Sequence, residues 1–329
     1  ENSIPMIALD AMGGDHGPSV VVPGAVAALS ADSPFGVALY GDESALKAEL
    51  AKLDTEGLPI TVVHCSQDIG MGESAASAIR TKKDSPIVRA MMDHKQGQVN
   101  AVVSAGSTGA MVAASLIILG RLQGVDRPAI GTLIPTIKGE LLLLDAGANI
   151  QCTVEHLESF ARMGDVFAQH ILKVDQPSIG QLNIGSEPKK GTELNVALYK
   201  ALEASDLNFI GNVEGNQIML GPCDVVVTDG FTGNITLKLV EGFARFLYVL
   251  ADRPGLSDEE RAALVPVMKL LMREFSYEVY GGAMLLGVSG NSIIAHGRSS
   301  ALAITNALKM AWREIEIDLP TKLSEAHSG

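Results

Sequence analysis

Asp229, Thr232, Gly233, Asn234 and Lys238 fall within one ten-residue span, and their types suit the handling of an oxyanion. They sit in the stretch DVVVTDGFTGNITLKLVEG, Asp224–Gly242. Val225, Val226 and Val227 form a β-branched run of the kind that makes a buried strand. The apolar spacing of Ile235, Leu237, Leu239, Val240 and Phe243 then predicts a helix. A strand that feeds a helix through a polar turn aims backbone N–H groups at phosphate or another oxyanion. The same Gly and Asn would also serve plain turn geometry.

Other predicted strands end in similar chemistry. Ile4–Leu9 runs into Asp10, Gly13, Gly14, Asp15 and His16, and Pro18 opens a helix over Val20–Ala28. Asp10 and Asp15 suit a metal, a substrate or simple turn formation and capping. Val99–Val103 exits through Ser104, Gly106, Ser107 and Thr108 into an apolar helix over Ala110–Leu119. Leu141–Leu144 exits through Asp145 and Asn149, and Ile179–Ile184 surrounds Asn183 and leads to Glu187. In an open α/β sheet such strand ends gather at one crevice.

The positioning elements alternate strand and helix from the first residues onward, which predicts a mostly parallel sheet flanked by helices. A length of 329 residues fits one large α/β domain or two lobes, and 47% hydrophobic content with 4% aromatics predicts an aliphatic core. The net charge of −13 argues against nucleic acid as a partner. Cys65, Cys152 and Cys223 show no metal or redox spacing, so a reducing cytoplasm and no structural zinc are expected. The opening ENSIPMIALD lacks the pattern of a secretory signal, and no apolar run is long enough to span a bilayer.

Arg80, Lys82 and Lys83 are the densest basic cluster in this acidic chain. A solvated helix face is the ordinary reading, and capture of an anion or an acidic partner is the functional one. No Walker loop and no GxGxxG is present.

The motifs ALDAMGGD, AIRTKKDS, VSAGSTGA, LDAGAN, LNIGSE, TDGFTGNITLK, YGGAMLLGVSG and AHGRS occur in that order, nearly end to end. In them the chain resembles the PlsX-type phosphate acyltransferases. Two positions depart from the family pattern, with Ser107 and Ser289 standing where Asn is usual. The resemblance implies two α/β lobes around a cleft, related to isopropylmalate dehydrogenase and phosphotransacetylase, and a homodimer. It places the first lobe at 1–98 with 296–329, and the second at 99–295 with a protruding helical pair near 243–276. It also implies that inorganic phosphate attacks the thioester of acyl–acyl carrier protein, without cofactor or metal, to give acyl phosphate for phospholipid synthesis.

In that reaction Asp229, Thr232, Asn234 and Lys238 would steady phosphate and oxyanion, and His296 would protonate the leaving thiolate. The substrate-binding set would be Asp10, Gly13, Gly14, Asp15, Arg80, Lys82, Lys83, Ser104, Gly106, Ser107, Thr108, Asp145, Asn149, Asn183, Glu187 and Gly233. Cys223 is the one tempting nucleophile, and a direct displacement without it is expected. Rival readings are a phosphate acetyltransferase, a metal- and NAD-dependent dehydrogenase, and a silent scaffold for lipid-synthesis enzymes. Finally, Ser257 with Glu260 predicts a capped helix over Leu256–Phe275, kinked or divided at Pro266. Leu264, Val267, Met268, Leu271, Met272 and Phe275 form its apolar stripe, flanked by Lys269 and Arg273. That stripe suits either a core or dimer contact or an interfacial anchor, with the product handed to a membrane glycerol-3-phosphate acyltransferase.

Overall fold

Aliphatic runs become strands, and the polar–apolar periodic segments between them become helices. The computed structural model describes residues 4–70, 72–251, 253–275 and 280–328. The chain forms two compact units, Glu1–Pro128 with Glu278–Gly329, and Ala129–Tyr277.

The first unit begins with β1 (Met6–Asp10), α1 (Pro18–Ala27), β2 (Gly36–Gly41), α2 (Glu43–Leu50) and β3 (Ile60–His64). It continues through α3 (Ala75–Thr81), α4 (Pro86–Lys95), β4 (Ala101–Ser104) and α5 (Thr108–Ala114). A π-helical turn, Ser115–Leu119, extends α5. Its strands lie in the order β3-β2-β1-β4, all parallel, and are buried because helices cover them.

The second unit holds β5 (Ala129–Thr136), β6 (Gly139–Leu144), α6 (Val154–His170), β7 (Ile179–Asn183), α7 (Glu193–Glu203) and β8 (Phe209–Glu214). After them come β9 (Val225–Val227), α8 (Gly230–Ala251) and α9 (Asp258–Phe275). The strand order is β5-β6-β9-β7-β8, with only the β5–β6 hairpin antiparallel. Leu141–Leu144 and Val225–Val227 are fully buried at its centre.

The chain then completes the first unit with β10 (Ala283–Leu286), β11 (Ser292–Ile294), α10 (Ala301–Ile317) and α11 (Leu319–His327). Strand β11 pairs in parallel with β4 and antiparallel with β10. Helix α10 packs on α1, where Thr305 Oγ1 donates to the Gly24 carbonyl at 2.8 Å and Trp312 stacks on Phe35 at 5.8 Å. Residues 99–128 and 280–295 thus pack with the first unit, where the sequence placed them in the second. The reason is register: β4 hydrogen-bonds β1, and β11 hydrogen-bonds β4.

One helix boundary also differs from expectation, and another helix is not divided at its proline. Helix α8 begins at Gly230, five residues before its apolar stripe, because Asp229 caps it. Helix α9 runs through Pro266 as one helix, starting from the expected reciprocal cap between Ser257 and Glu260. Met268 of α9 is buried, whereas Val265, Val267 and Leu270 are exposed. The side chains of Leu271, Met272, Arg273 and Phe275 lie outside the described ones. Among the described residues no helix is long and apolar enough to cross a membrane.

Glu314 of α10 is a buried acid whose Oε1 has no hydrogen-bond partner among the described residues. Burial pushes its carboxyl up to about 8. Between the ordinary carboxylate range and pH 8 the folded chain holds a proton that the unfolded chain has lost. Stability must therefore fall as pH rises through that window. Glu314→Gln is expected to flatten the decline of Tm between pH 5 and pH 8, followed by scanning calorimetry. An unchanged slope would show that Glu314 titrates as an ordinary exposed acid.

Candidate active site

The carboxylate of Asp145, fully buried at the exit of β6, organises the second unit's candidate residues. Its Oδ1 accepts from the N–H groups of Ile130, Gly147 and Ala148 at 2.9–3.0 Å. Its Oδ2 accepts from the N–H and the Nδ2 of Asn149 at 2.7 and 2.9 Å. The Asn149 carbonyl in turn accepts the first N–H of α8, from Gly230, at 2.7 Å. Asn234 Nδ2 donates to the Ala146 carbonyl at 3.0 Å. The start of α8 is thereby bound to the exit of β6, and Gly233 lies against the Asp145 main chain.

This arrangement revises the sequence expectation for the helix start. Thr232 N–H donates to Asp229 Oδ1, Thr232 Oγ1 to Asp229 Oδ2, and Gly233 N–H to the Asp229 carbonyl. Those two N–H groups lie within the first turn and are already partnered, because Asp229 occupies the capping position. Asn234 is exposed and uses one of its two Nδ2 hydrogens internally, leaving the other for a ligand. Lys238 Nζ pairs with Glu241 at 2.8 Å and has two further hydrogens. Asn234 and the Lys238 ammonium are therefore the donors this helix end can offer an anion.

The first unit assembles a second cluster from three strand exits. Asp10 Oδ1 accepts from the N–H of Met12 and Gly13, each at 3.1 Å. Ser104 Oγ donates to Asp10 Oδ2 at 2.7 Å and accepts from Gly106 N–H at 2.9 Å. The loop after β11 joins them, since Asp15 N–H donates to the Gly297 carbonyl at 2.7 Å, beside Gly14. His296 sits in that loop and its Nδ1 accepts from Arg298 N–H at 3.1 Å. Ser107 caps α5 through the N–H of Ala110, a task that Asn performs equally well, and Thr108 is the first helical residue.

Other candidates lie outside both clusters. Lys82 Nζ pairs with Glu73 and also donates to the Asp68 carbonyl, both at 2.6 Å, while Lys83 Nζ donates to the Ile79 carbonyl. Arg80 and Lys83 are both exposed and neither makes an ion pair among the described residues. Asn183 and Glu187 shape the loop after β7, through the Lys190 carbonyl and the Lys190 ammonium respectively. Cys223 is buried, donates to the Val225 carbonyl and is pushed by burial up to about 12, which disqualifies it as a nucleophile at neutral pH.

A cavity of about 90 Å³ adjoins the Asp10 cluster, and Asp68, Ile69 and Gly70 form one wall of it. Reading the sequence missed this wall. Its only signal was a pair of glycines, Gly70 and Gly72, following a strand.

A Cβ added at Gly233 would overlap the carbonyl oxygen of Asp145. Gly233→Ala is expected to cost about 1–3 kcal/mol by overpacking. Calorimetry should show a Tm several degrees lower, and activity should be lost as the helix start shifts. An unchanged Tm would mean that α8 is not held this closely.

The family model described as fatty acid synthesis protein matches residues 6–322. A phosphate acyltransferase of Desulforamulus reducens is 46% identical over 325 residues, covering 97% of this chain and 96% of that protein. One from Moorella thermoacetica is 47% identical over 323 residues, covering 97% and 95%. Among solved structures, a phosphotransacetylase from Streptococcus pyogenes matches with a TM-score of 0.62 at 16% identity, covering 95% of this chain and 94% of that one. A branched-chain phosphotransacylase from Enterococcus faecalis gives 0.55 at 16% identity, covering 94% and 99%. At such identities these two structures speak for the fold alone. The chain belongs to the fatty acid synthesis protein family, the PlsX-type phosphate acyltransferases whose motifs it carries from Ala8 to Ser299.

Proposed function

We propose that the protein transfers a long-chain fatty acyl group from acyl–acyl carrier protein to inorganic phosphate, giving acyl phosphate for phospholipid synthesis. The observation that carries this reading is the match, over nearly the whole chain, to proteins named phosphate acyltransferase. Phosphate is already an anionic nucleophile at neutral pH, so the protein's task is orientation and charge stabilisation. The spare hydrogens of Asn234 and Lys238 suit the negative charge that develops on the thioester carbonyl oxygen. The departing sulphur takes a proton, for which Asp10 and His296 carry suitable groups.

The test is turnover of a purified carrier thioester with phosphate and no added cofactor, read as acyl phosphate formed. Product should appear only when phosphate is present. Asn234→Ala and Lys238→Ala should each lower kcat/KM by about 10²-fold or more, the scale of losing one oxyanion donor. Wild-type kinetics in both variants would remove α8 from the mechanism.

The surface supports two partners besides the carrier. Phe231, Ile235, Leu239, Phe243 and Phe246 form an exposed apolar stripe along α8, which we assign to a second copy of the chain. Val265, Val267 and Leu270 on α9, next to Lys269, suit reversible contact with an anionic bilayer, where an amphiphilic product is best released. Val267→Glu with Leu270→Glu should weaken flotation with anionic vesicles while the protein stays folded. Equal flotation of variant and wild type would place any anchor elsewhere.

A further inference from the structure

The two units carry the same local design. Leu9-Asp10-Ala11 at the end of β1 matches Leu144-Asp145-Ala146 at the end of β6. The neighbouring parallel strands also match: Val102-Val103-Ser104, then Gly106 and Thr108-Gly109, against Val226-Val227-Thr228, then Gly230 and Thr232-Gly233. The registers agree, with Asp10 opposite Ser104, and Leu144 opposite Val227 so that Asp145 falls beside Thr228. Even the loop bonds agree. In each copy Oδ1 of the aspartate accepts the N–H groups two and three residues ahead.

The copies differ in what reaches the other carboxyl oxygen. Asp145 Oδ2 receives two donors from Asn149, and its Oδ1 has a third from Ile130, so that carboxylate is saturated. Among the described residues Asp10 Oδ2 has the Ser104 hydroxyl alone. The space around that oxygen is kept by glycine: a Cβ at Gly13 would stand 2.7 Å from Oδ2, and one at Gly106 would stand 3.4 Å away. Asp10 also lines the cavity of about 90 Å³, whose other walls include Met12, Ile69, Pro86 and Ile87. Those apolar side chains, facing the two carboxyls Asp10 and Asp68, leave room for a methylene chain ending in sulphur.

We propose that Asp10 is the acid that protonates the departing sulphur, with this cavity receiving the thiol end of the acyl donor. The proposal rests on the acyl-transfer reading above. A phosphate oxygen forms the new bond to the thioester carbon as the carbon–sulphur bond breaks. The sulphur takes the proton from the Asp10 carboxyl, and the Asp10 carboxylate recovers the proton that hydrogen phosphate sheds on acylation. Atoms and charge balance with no further reactant. Burial first, and Asp68 across the cavity to a lesser degree, raise the Asp10 carboxyl to about 6 against the lowering bonds from Ser104, Met12 and Gly13. A carboxyl so placed is protonated in a minor fraction of molecules at neutrality and gives that proton up readily to a thiolate, whose conjugate acid is weaker at about 8.5.

Four other ionisable groups nearby are shifted or engaged elsewhere. Cys65 at the end of β3 is pushed by burial up to about 12. Arg89 and Asp93 of α4 are engaged with Asp84 and with the Tyr40 hydroxyl of β2. Asp15 is turned outward on its own loop, with Arg298 at 4.0 Å.

The experiment compares wild type with Asp10→Asn on two acyl donors, the carrier thioester and an acyl ester of an aromatic thiol that leaves without protonation. With the carrier thioester, kcat should fall by about 10²–10⁴-fold. With the aromatic thioester the loss should shrink to within about tenfold, and the ionisation near pH 6 should vanish from the kcat profile. Ser104→Ala, which removes the one lowering bond at Oδ2, should move that ionisation upward and serves if Asp10→Asn does not fold. Equal losses on both donors, or an unmoved ionisation in Ser104→Ala, would overturn the acid role. Absence of wild-type turnover on the carrier thioester would instead overturn the acyl-transfer reading beneath it.

Discussion

Five N–H groups converge on the buried carboxylate of Asp145, and the second unit's candidate residues are fixed through it. A buried charge is tolerated only when donors surround it, and here the donors are mainly backbone. Main-chain groups cannot be repositioned by rotamer changes, so the loop 146–149 has one shape. That shape presents two carbonyls, Ala146 and Asn149, to the first turn of α8. The orientation of Asn234 is therefore a consequence of where Asp145 ends its strand, four residues after the β6 core begins.

The same construction appears at Asp10, with fewer donors and more room. The two aspartates illustrate how one local design serves different ends. Saturating a carboxylate makes it a structural hub; leaving one oxygen underbonded and buried makes it a proton carrier. Sequence identity between the copies is confined to residues whose size or donor pattern the strand exit requires. Beyond Gly109 and Gly233 the two helices diverge, one short and partly buried, the other long and lined with exposed apolar side chains.

Much of this was legible in the sequence. The runs around Ile7, Val37, Val102, Leu142 and Val226 announce central strands, because residues buried on both faces leave few chemical options. The paired motifs at Asp10, Ser104, Asp145 and Asp229 mark the exits. The start of α8 was not legible from periodicity, since Thr232, Gly233 and Asn234 are polar or small, and the helix begins on capping instead. Strands β10 and β11 escaped notice because they are short and set among glycines. The partners of Lys82 and Lys238 were equally hidden. An ion pair between exposed side chains depends on rotamers and neighbouring helices, which spacing alone does not specify. The edges of the two units depended on strand pairing between residues far apart in sequence, which no local pattern encodes.

That last feature bears on how the protein is made. Strand β4 takes β1 on one side and β11 on the other, yet β11 lies 188 positions later, counting from Ser104 to Ser292. A ribosome working at about 5–20 residues per second needs roughly 10–40 s to cover that interval. During it the second unit, contiguous in the chain, is complete and able to close its own sheet. The first unit waits with one flank of β4 unpaired, presenting a short hydrophobic strand edge to the cell. The order of synthesis thus makes the middle of the polypeptide the earlier domain to mature, and leaves the beginning dependent on the end.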